Sequence, residues 1–124
     1  MSAVTIVLAD DHPVVRQGLR TLLEAEAGFS VIGEVSEGLK VLEAVTRLKP
    51  SVLVLDIMMP DLNGLEVTRQ VSQQAPNTRV LILSMYQNEA YVLEALRNGA
   101  TGYILKSAGG ELLTEAVRTV AAGR

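Results

Sequence analysis

Val52-Leu53-Val54-Leu55-Asp56 decides the reading of this chain. Four consecutive aliphatic residues end on a carboxylate. An unbroken apolar run of this length reads as a strand buried on both faces, the kind found inside parallel sheets. The same construction recurs on either side. Thr5-Ile6-Val7-Leu8-Ala9 ends on Asp10-Asp11, Val80-Leu81-Ile82-Leu83 ends on Ser84, and Tyr103-Ile104-Leu105 ends on Lys106. In an open parallel sheet the carboxyl ends of the strands share one edge, where ligands bind. Three carboxylates, a hydroxyl and an ammonium are therefore expected at one edge. Clustered carboxylates repel one another, and a divalent cation with oxygen ligands relieves the repulsion, leaving Lys106 to meet an added anion.

Between the runs lie helical patterns. Pro13 suits a first helical position; Val15, Leu19 and Leu22 share a face, and this pattern ends near Gly28. A further strand, Val31–Val35, is followed by a helix opening at Gly38, with Val41, Val45 and Leu48 inward, stopped by Lys49-Pro50. The loop Met59–Gly64 leads to a helix with Val67 and Val71 that stops before Pro76. The next helix carries Val92 and Leu96 and stops at Asn98-Gly99, and the last carries Leu113, Ala116, Val117 and Val120. Strand and helix alternate five times, which predicts an α/β fold with a parallel sheet covered on both faces.

At 124 residues the chain reads as one domain, 1–124, long enough for a real core. It is 48% hydrophobic but only 3% aromatic, so that core is aliphatic. The formal net charge of -3 argues against direct grip on nucleic acid. Arg16, Arg20, Lys40, Arg47, Lys49, Arg69, Arg79, Arg97 and Arg118 are scattered among acids rather than drawn into a stripe. The absence of cysteine excludes disulfides, thiolate metal sites and cysteine nucleophiles, and the single histidine, His12, excludes multi-histidine metal sites. No apolar run approaches the ~20 residues of a membrane span, and the N-terminus lacks signal-peptide character, so a cytoplasmic protein without membrane contact is expected.

The acidic pair Asp10-Asp11, the stretch Asp56-Ile57-Met58-Met59-Pro60-Asp61-Leu62-Asn63-Gly64 and the ending Leu105-Lys106-Ser107 together resemble the receiver domain of bacterial two-component response regulators. The resemblance covers the whole chain. Ala9-Asp10-Asp11-His12-Pro13 with Val15-Arg16-Gln17-Gly18-Leu19, Gly99-Ala100-Thr101-Gly102-Tyr103 and Val117–Gly123 resemble the subfamily whose receivers precede a LuxR/NarL-type helix-turn-helix domain. The resemblance implies a flavodoxin-like, doubly wound five-stranded sheet, order 2-1-3-4-5, with five helices. It implies a longer protein with a linker and an output domain, the present chain being its receiver.

The residue roles follow. Asp56, where a buried strand opens into a loop, is the expected phosphoacceptor, since a carboxylate can form an acyl phosphate. The resemblance implies Mg2+ bound by Asp11, Asp56 and the backbone carbonyl of Met58, with Asp10 acting through a metal-bound water. Lys106 pairs with Asp56 or with a phosphoryl oxygen. Ser84 offers a hydroxyl to the phosphoryl group, and Tyr103 is its aromatic switch partner. Met58 and Tyr86 flank the acyl phosphate; Met58 cannot orient an attacking water, so slow self-dephosphorylation is expected. His12 reads as a residue opening a helix, and Pro60 and Gly64 as turn formers. Lys106-Ser107 departs from the commoner family pattern with proline after the lysine, which leaves the geometry of that bond open.

The expected partners are a sensor histidine kinase, a second copy on phosphorylation, and DNA only through the appended domain. The receiver is not expected to be an enzyme in its own right. Three readings compete. A haloacid-dehalogenase-type phosphatase or phosphotransferase also uses an aspartyl phosphate and Mg2+, but typically places a second aspartate where Met58 stands. A flavin-binding domain needs a Ser/Thr/Gly-rich loop where Asp10-Asp11-His12-Pro13 stands. A receiver working by protein contact alone would have no use for the complete acid, hydroxyl and lysine set.

Overall fold

The computed structural model describes residues 3–57, 59, 61, 63–84, 88–105 and 110–122. Five parallel strands, β1 (Val4–Ala9), β2 (Phe29–Val35), β3 (Val52–Asp56), β4 (Arg79–Ser84) and β5 (Gly102–Leu105), form one sheet in the order β2-β1-β3-β4-β5. Five helices connect and cover them: α1 (Pro13–Glu24), α2 (Val41–Leu48), α3 (Gly64–Gln74), α4 (Glu89–Arg97) and α5 (Gly110–Ala121). The flavodoxin-like order expected from the resemblance is the one observed.

Strand side chains alternate between two cores. Ile6, Leu8, Val52, Val54, Leu81, Leu83 and Ile104 meet Leu23 of α1 and Leu113, Val117 and Val120 of α5. Val7, Ala9, Leu53, Leu55, Val80 and Ile82 meet Val41, Ala44 and Val45 of α2, Val71 of α3 and Ala95 of α4. Because β1, β3 and β4 are apolar on both faces, they occupy the middle of the sheet. Each fully buried aliphatic chain contributes about 1.5–3 kcal/mol relative to exposure.

The boundaries differ from the sequence expectation in places. α1 ends at Glu24 rather than near Gly28. The chain must turn there so that Val4 N–H can donate to the Gly28 carbonyl (2.7 Å) and Phe29 can pair with Val4. Gly28 makes that turn at φ 85°, a conformation costly for a residue with a Cβ. Gly38 opens a 3-10 turn, Gly38–Lys40, and α2 begins only at Val41. Pro50 stops α2 together with Lys49, which adopts the left-handed conformation (φ 50°) and donates its N–H to the Val45 carbonyl. On α4 the inward residue is Ala95, fully buried, whereas Leu96 is exposed. No helix among the described residues is long and apolar enough to cross a membrane.

Candidate functional site

Parallel register brings the strand ends level. Ala9 pairs with Leu55, and Asp56 with Leu83. Asp10 and Asp56 therefore leave neighbouring strands at the same height, and Ser84 ends the next strand one residue further on. Asp10 and Asp56 are fully buried and Ser84 nearly so. One ligand atom from each of Asp10, Asp11, His12 and Asp56 lies within 4.8 Å of the others. The three carboxylates expected at this edge are thus brought together. Lys106 and Met58, the other residues assigned to the site, lie outside the described residues, as do Pro60, Tyr86 and Ser107.

The acidic turn is built by its own hydrogen bonds. Asp10 N–H donates to the Val35 carbonyl (3.0 Å), extending the β1–β2 ladder. Asp10 Oδ1 accepts from the His12 N–H (2.9 Å), a local turn that fixes the chain where it enters α1; the His12 side chain makes no capping bond. The Asp10 carbonyl accepts from Arg16 Nη1 (2.8 Å), and Arg16 Nε donates to Glu34 Oε1 (2.9 Å) on β2. Arg20 also donates to Glu34. Burial pushes the Glu34 carboxyl up, but the hydrogen bonds from Arg20 and Arg16 outweigh it and hold the group below its usual range.

His12 Nδ1 lies 3.3 Å from Asp10 Oδ1 and 3.0 Å from Asp11 Oδ1. The second contact is an ion-pair distance off the hydrogen-bond line. Asp11 Oδ1 is buried and accepts no hydrogen bond among the described residues. A buried carboxylate oxygen without a donor is costly unless a cation faces it. The oxygen-rich donor set and this orphaned atom fit a divalent ion.

On the α2–α4 side of the sheet, Tyr103 pairs with Ile82, two residues before Ser84, so Ser84 and Tyr103 lie on one face of adjacent strands. Tyr91 of α4 stands near Tyr103. Burial, followed by the electrostatic influence of Tyr103, raises the ionisation of the Tyr91 phenol above its ordinary value. Gly64 opens α3 so close to its neighbours that an added Cβ would sit 2.8 Å from Ile57 Cγ2 and 3.1 Å from the Tyr91 hydroxyl. Asp61 reaches back to accept from the Gly38 N–H (3.0 Å).

His12, Arg16 and Tyr91 were not assigned site roles from sequence. The first two stand within the Ala9–Leu19 stretch that carries the subfamily resemblance, which was the available signal. The cationic side chains show no concerted surface: Arg16, Arg20, Arg47, Arg69, Arg97 and Arg118 each pair with a glutamate.

A doubly wound parallel sheet with clustered acids at its carboxyl edge is an α/β domain with a candidate divalent-metal site, and comparison with known proteins narrows the class. The response regulator receiver domain family matches residues 6–118, and the chain belongs to that family. The transcriptional regulatory protein DegU of Brevibacillus brevis is 40% identical over 120 residues, 97% of this chain and 51% of that protein. The oxygen regulatory protein NreC of Staphylococcus haemolyticus is 44% identical over 119 residues, 95% of this chain and 55% of that protein. The chain therefore spans about half the length of these curated relatives. A two-component response regulator of the LuxR family from Aurantimonas sp. SI85-9A1 superposes with a TM-score of 0.94 at 36% identity, over 99% of this chain and 88% of that one. The chain is thus a response regulator receiver of the LuxR/NarL kind, as the sequence resemblance implied.

Proposed function

We propose that this receiver is switched by phosphorylation of Asp56 from a partner histidine kinase. The observation that carries the reading is the convergence of Asp10, Asp11 and Asp56 at one sheet edge, beside Ser84. In the transfer, Asp56 Oδ attacks phosphorus in line; the new O–P bond forms as the N–P bond of the donor phosphohistidine breaks, and the imidazole leaves. Mg2+ is the proposed ion, held by Asp11, Asp56 and the Met58 carbonyl, with Asp10 acting through water. Bound there, it would offset the negative charge that the phosphoryl group brings to three carboxylates. Asp10 and His12 hold the turn that carries Asp11, and Arg16 fixes that turn against β2 through Glu34.

Lys106 is assigned a phosphoryl oxygen, and Ser84 donates its hydroxyl to another. Tyr103 shares a sheet face with Ser84, which supports its role as the aromatic partner of the switch. The phosphoryl group makes contacts in one state that it lacks in the other, and that difference supplies the bias. Leu93 and Leu96 on α4 and Leu112 on α5 are exposed, which supports a partner-binding role for the surfaces of these two helices. In the longer protein these surfaces would favour dimerisation, with DNA bound through an appended output domain in the cytoplasm. The receiver is a substrate of its kinase rather than an enzyme acting on a separate substrate.

Incubation with a small acyl-phosphate donor, with and without Mg2+, followed by intact-mass measurement, tests the assignment. A single added phosphoryl group is expected, dependent on Mg2+ and lost in Asp56→Asn. Uptake by Asp56→Asn equal to that of the unmodified protein would remove Asp56 from the role.

A further inference from the structure

We propose that His12 is itself a ligand, through Nδ1, of the ion held by the acidic turn, and that it tilts the site from Mg2+ toward borderline first-row ions such as Ni2+ or Co2+. This rests on the reading of the acidic cluster as a divalent-metal site. In an octahedral ion with ligands at about 2.1 Å, neighbouring ligand atoms are about 3.0 Å apart and opposite ones about 4.2 Å. His12 Nδ1 is 3.0 Å from Asp11 Oδ1 and 3.3 Å from Asp10 Oδ1. The ring nitrogen thus stands at a neighbouring-ligand distance from both carboxylates. One ligand atom from each of Asp10, Asp11, His12 and Asp56 lies within 4.8 Å of the others, close enough for the group to face one ion, with Asp10 reaching it through water.

The backbone keeps the ring there. His12 precedes Pro13, which restricts it to extended geometry, and it is found at φ -95°, ψ 109°. Its N–H is held by Asp10 Oδ1. The imidazole makes no capping bond to α1 and its side chain is 59% exposed; its contacts among the described residues are those of Nδ1 with Asp10 Oδ1 and Asp11 Oδ1, which a shared ion would replace. A hard all-oxygen set suits Mg2+, whereas imidazole suits Ni2+, Zn2+ and iron. Adding one nitrogen to the carboxylates therefore favours the second group more than the first.

The test measures dissociation constants for Mg2+ and Ni2+ by calorimetry on the tagless chain and on His12→Ala, together with proton NMR spectra of the Co2+-loaded proteins. His12 is the single histidine of the chain, so any cobalt-shifted imidazole resonance belongs to it. His12→Ala is expected to lose roughly tenfold or more in Ni2+ affinity while Mg2+ affinity moves less than about twofold. Shifted ring resonances are expected in the unmodified protein and absent from the variant. Equal Ni2+ affinities in the two proteins, or ring protons left at their diamagnetic positions with Co2+ bound, would make His12 a bystander and overturn the proposal. Retention of both Mg2+ and Ni2+ affinity by Asp11→Asn and Asp56→Asn would instead overturn the metal reading on which it rests.

Discussion

Replacing Gly64 with alanine separates close packing from helix propensity. Gly64 is the first residue of α3 and its φ is not positive, so the backbone accepts an L-residue. Propensity alone favours the change by up to about 1 kcal/mol, less at a first helical position than in an interior. The surroundings oppose it. The new methyl would meet Ile57 Cγ2 at 2.8 Å, Ile57 Cβ at 3.1 Å and the Tyr91 hydroxyl at 3.1 Å. Rotating Ile57 about χ1 moves Cγ2 but leaves Cβ in place, so the backbone of α3 or of Ile57 must yield. Overpacking of this kind costs about 1–3 kcal/mol. The net expectation is a loss of about 1–2 kcal/mol. With m near 2 kcal/mol/M, the urea midpoint falls by about 0.5–1 M at unchanged slope. Gly18, inside α1, supplies the control: an added Cβ there meets nothing within 4 Å. Gly18→Ala should stabilise by about 0.5–1 kcal/mol. A Gly64→Ala protein as stable as the parent, or variants shifting in the same direction, would refute the reasoning.

Arg16→Ala removes the donor to the Asp10 carbonyl and one partner of Glu34; a loss of about 1–3 kcal/mol in urea unfolding is expected, with weaker Mg2+ binding by calorimetry. The lowered Glu34 ionisation makes stability depend on pH with a definite sign. Its contribution is complete above the unfolded value of about 4.3 and disappears as pH falls through the lower folded value, so Glu34→Gln should flatten the acid limb of stability between about pH 5 and 3. The raised Tyr91 phenol acts in the opposite range: its contribution is complete below the unfolded value near 10 and is lost as pH rises through the higher folded value. Ultraviolet titration should show a late-ionising tyrosine component that is lost in Tyr91→Phe.

The central strands were legible because β1, β3 and β4 are buried on both faces and read as unbroken aliphatic runs. β2 was less so. It lies at an edge, and its first residues, Phe29 and Ser30, are recruited by register with Val4 and Thr5 rather than by pattern. Ala25-Glu26-Ala27 have good helix propensity, yet the chain leaves the helix there to reach that register. On α4, Ala95 and Leu96 are adjacent on the helix. Periodicity pointed to the larger residue, whereas packing took the smaller one inward. The three site aspartates were legible because strand ends in a parallel sheet share an edge. The His12 and Arg16 contacts were not, because they depend on side-chain direction over a turn and, for Arg16, on Glu34 of a neighbouring strand.

That local architecture also divides labour between the paired acids, which sequence alone makes look interchangeable. Asp10 commits its N–H to Val35, its carbonyl to Arg16 and Oδ1 to the His12 N–H. It is fully buried and acts as the fastening point of the turn. Asp11 follows it with a buried Oδ1 that accepts no hydrogen bond among the described residues. A carboxylate oxygen already accepting from a backbone N–H is a poorer donor to a metal than one left without a partner, because coordination must compete with a bond already made. This difference supports the proposed roles, in which Asp11 meets the ion directly and Asp10 acts through water. Arg16 Nη1 holds the Asp10 carbonyl, and with it the peptide from which Asp11 departs, while Glu34 steadies Arg16 from β2.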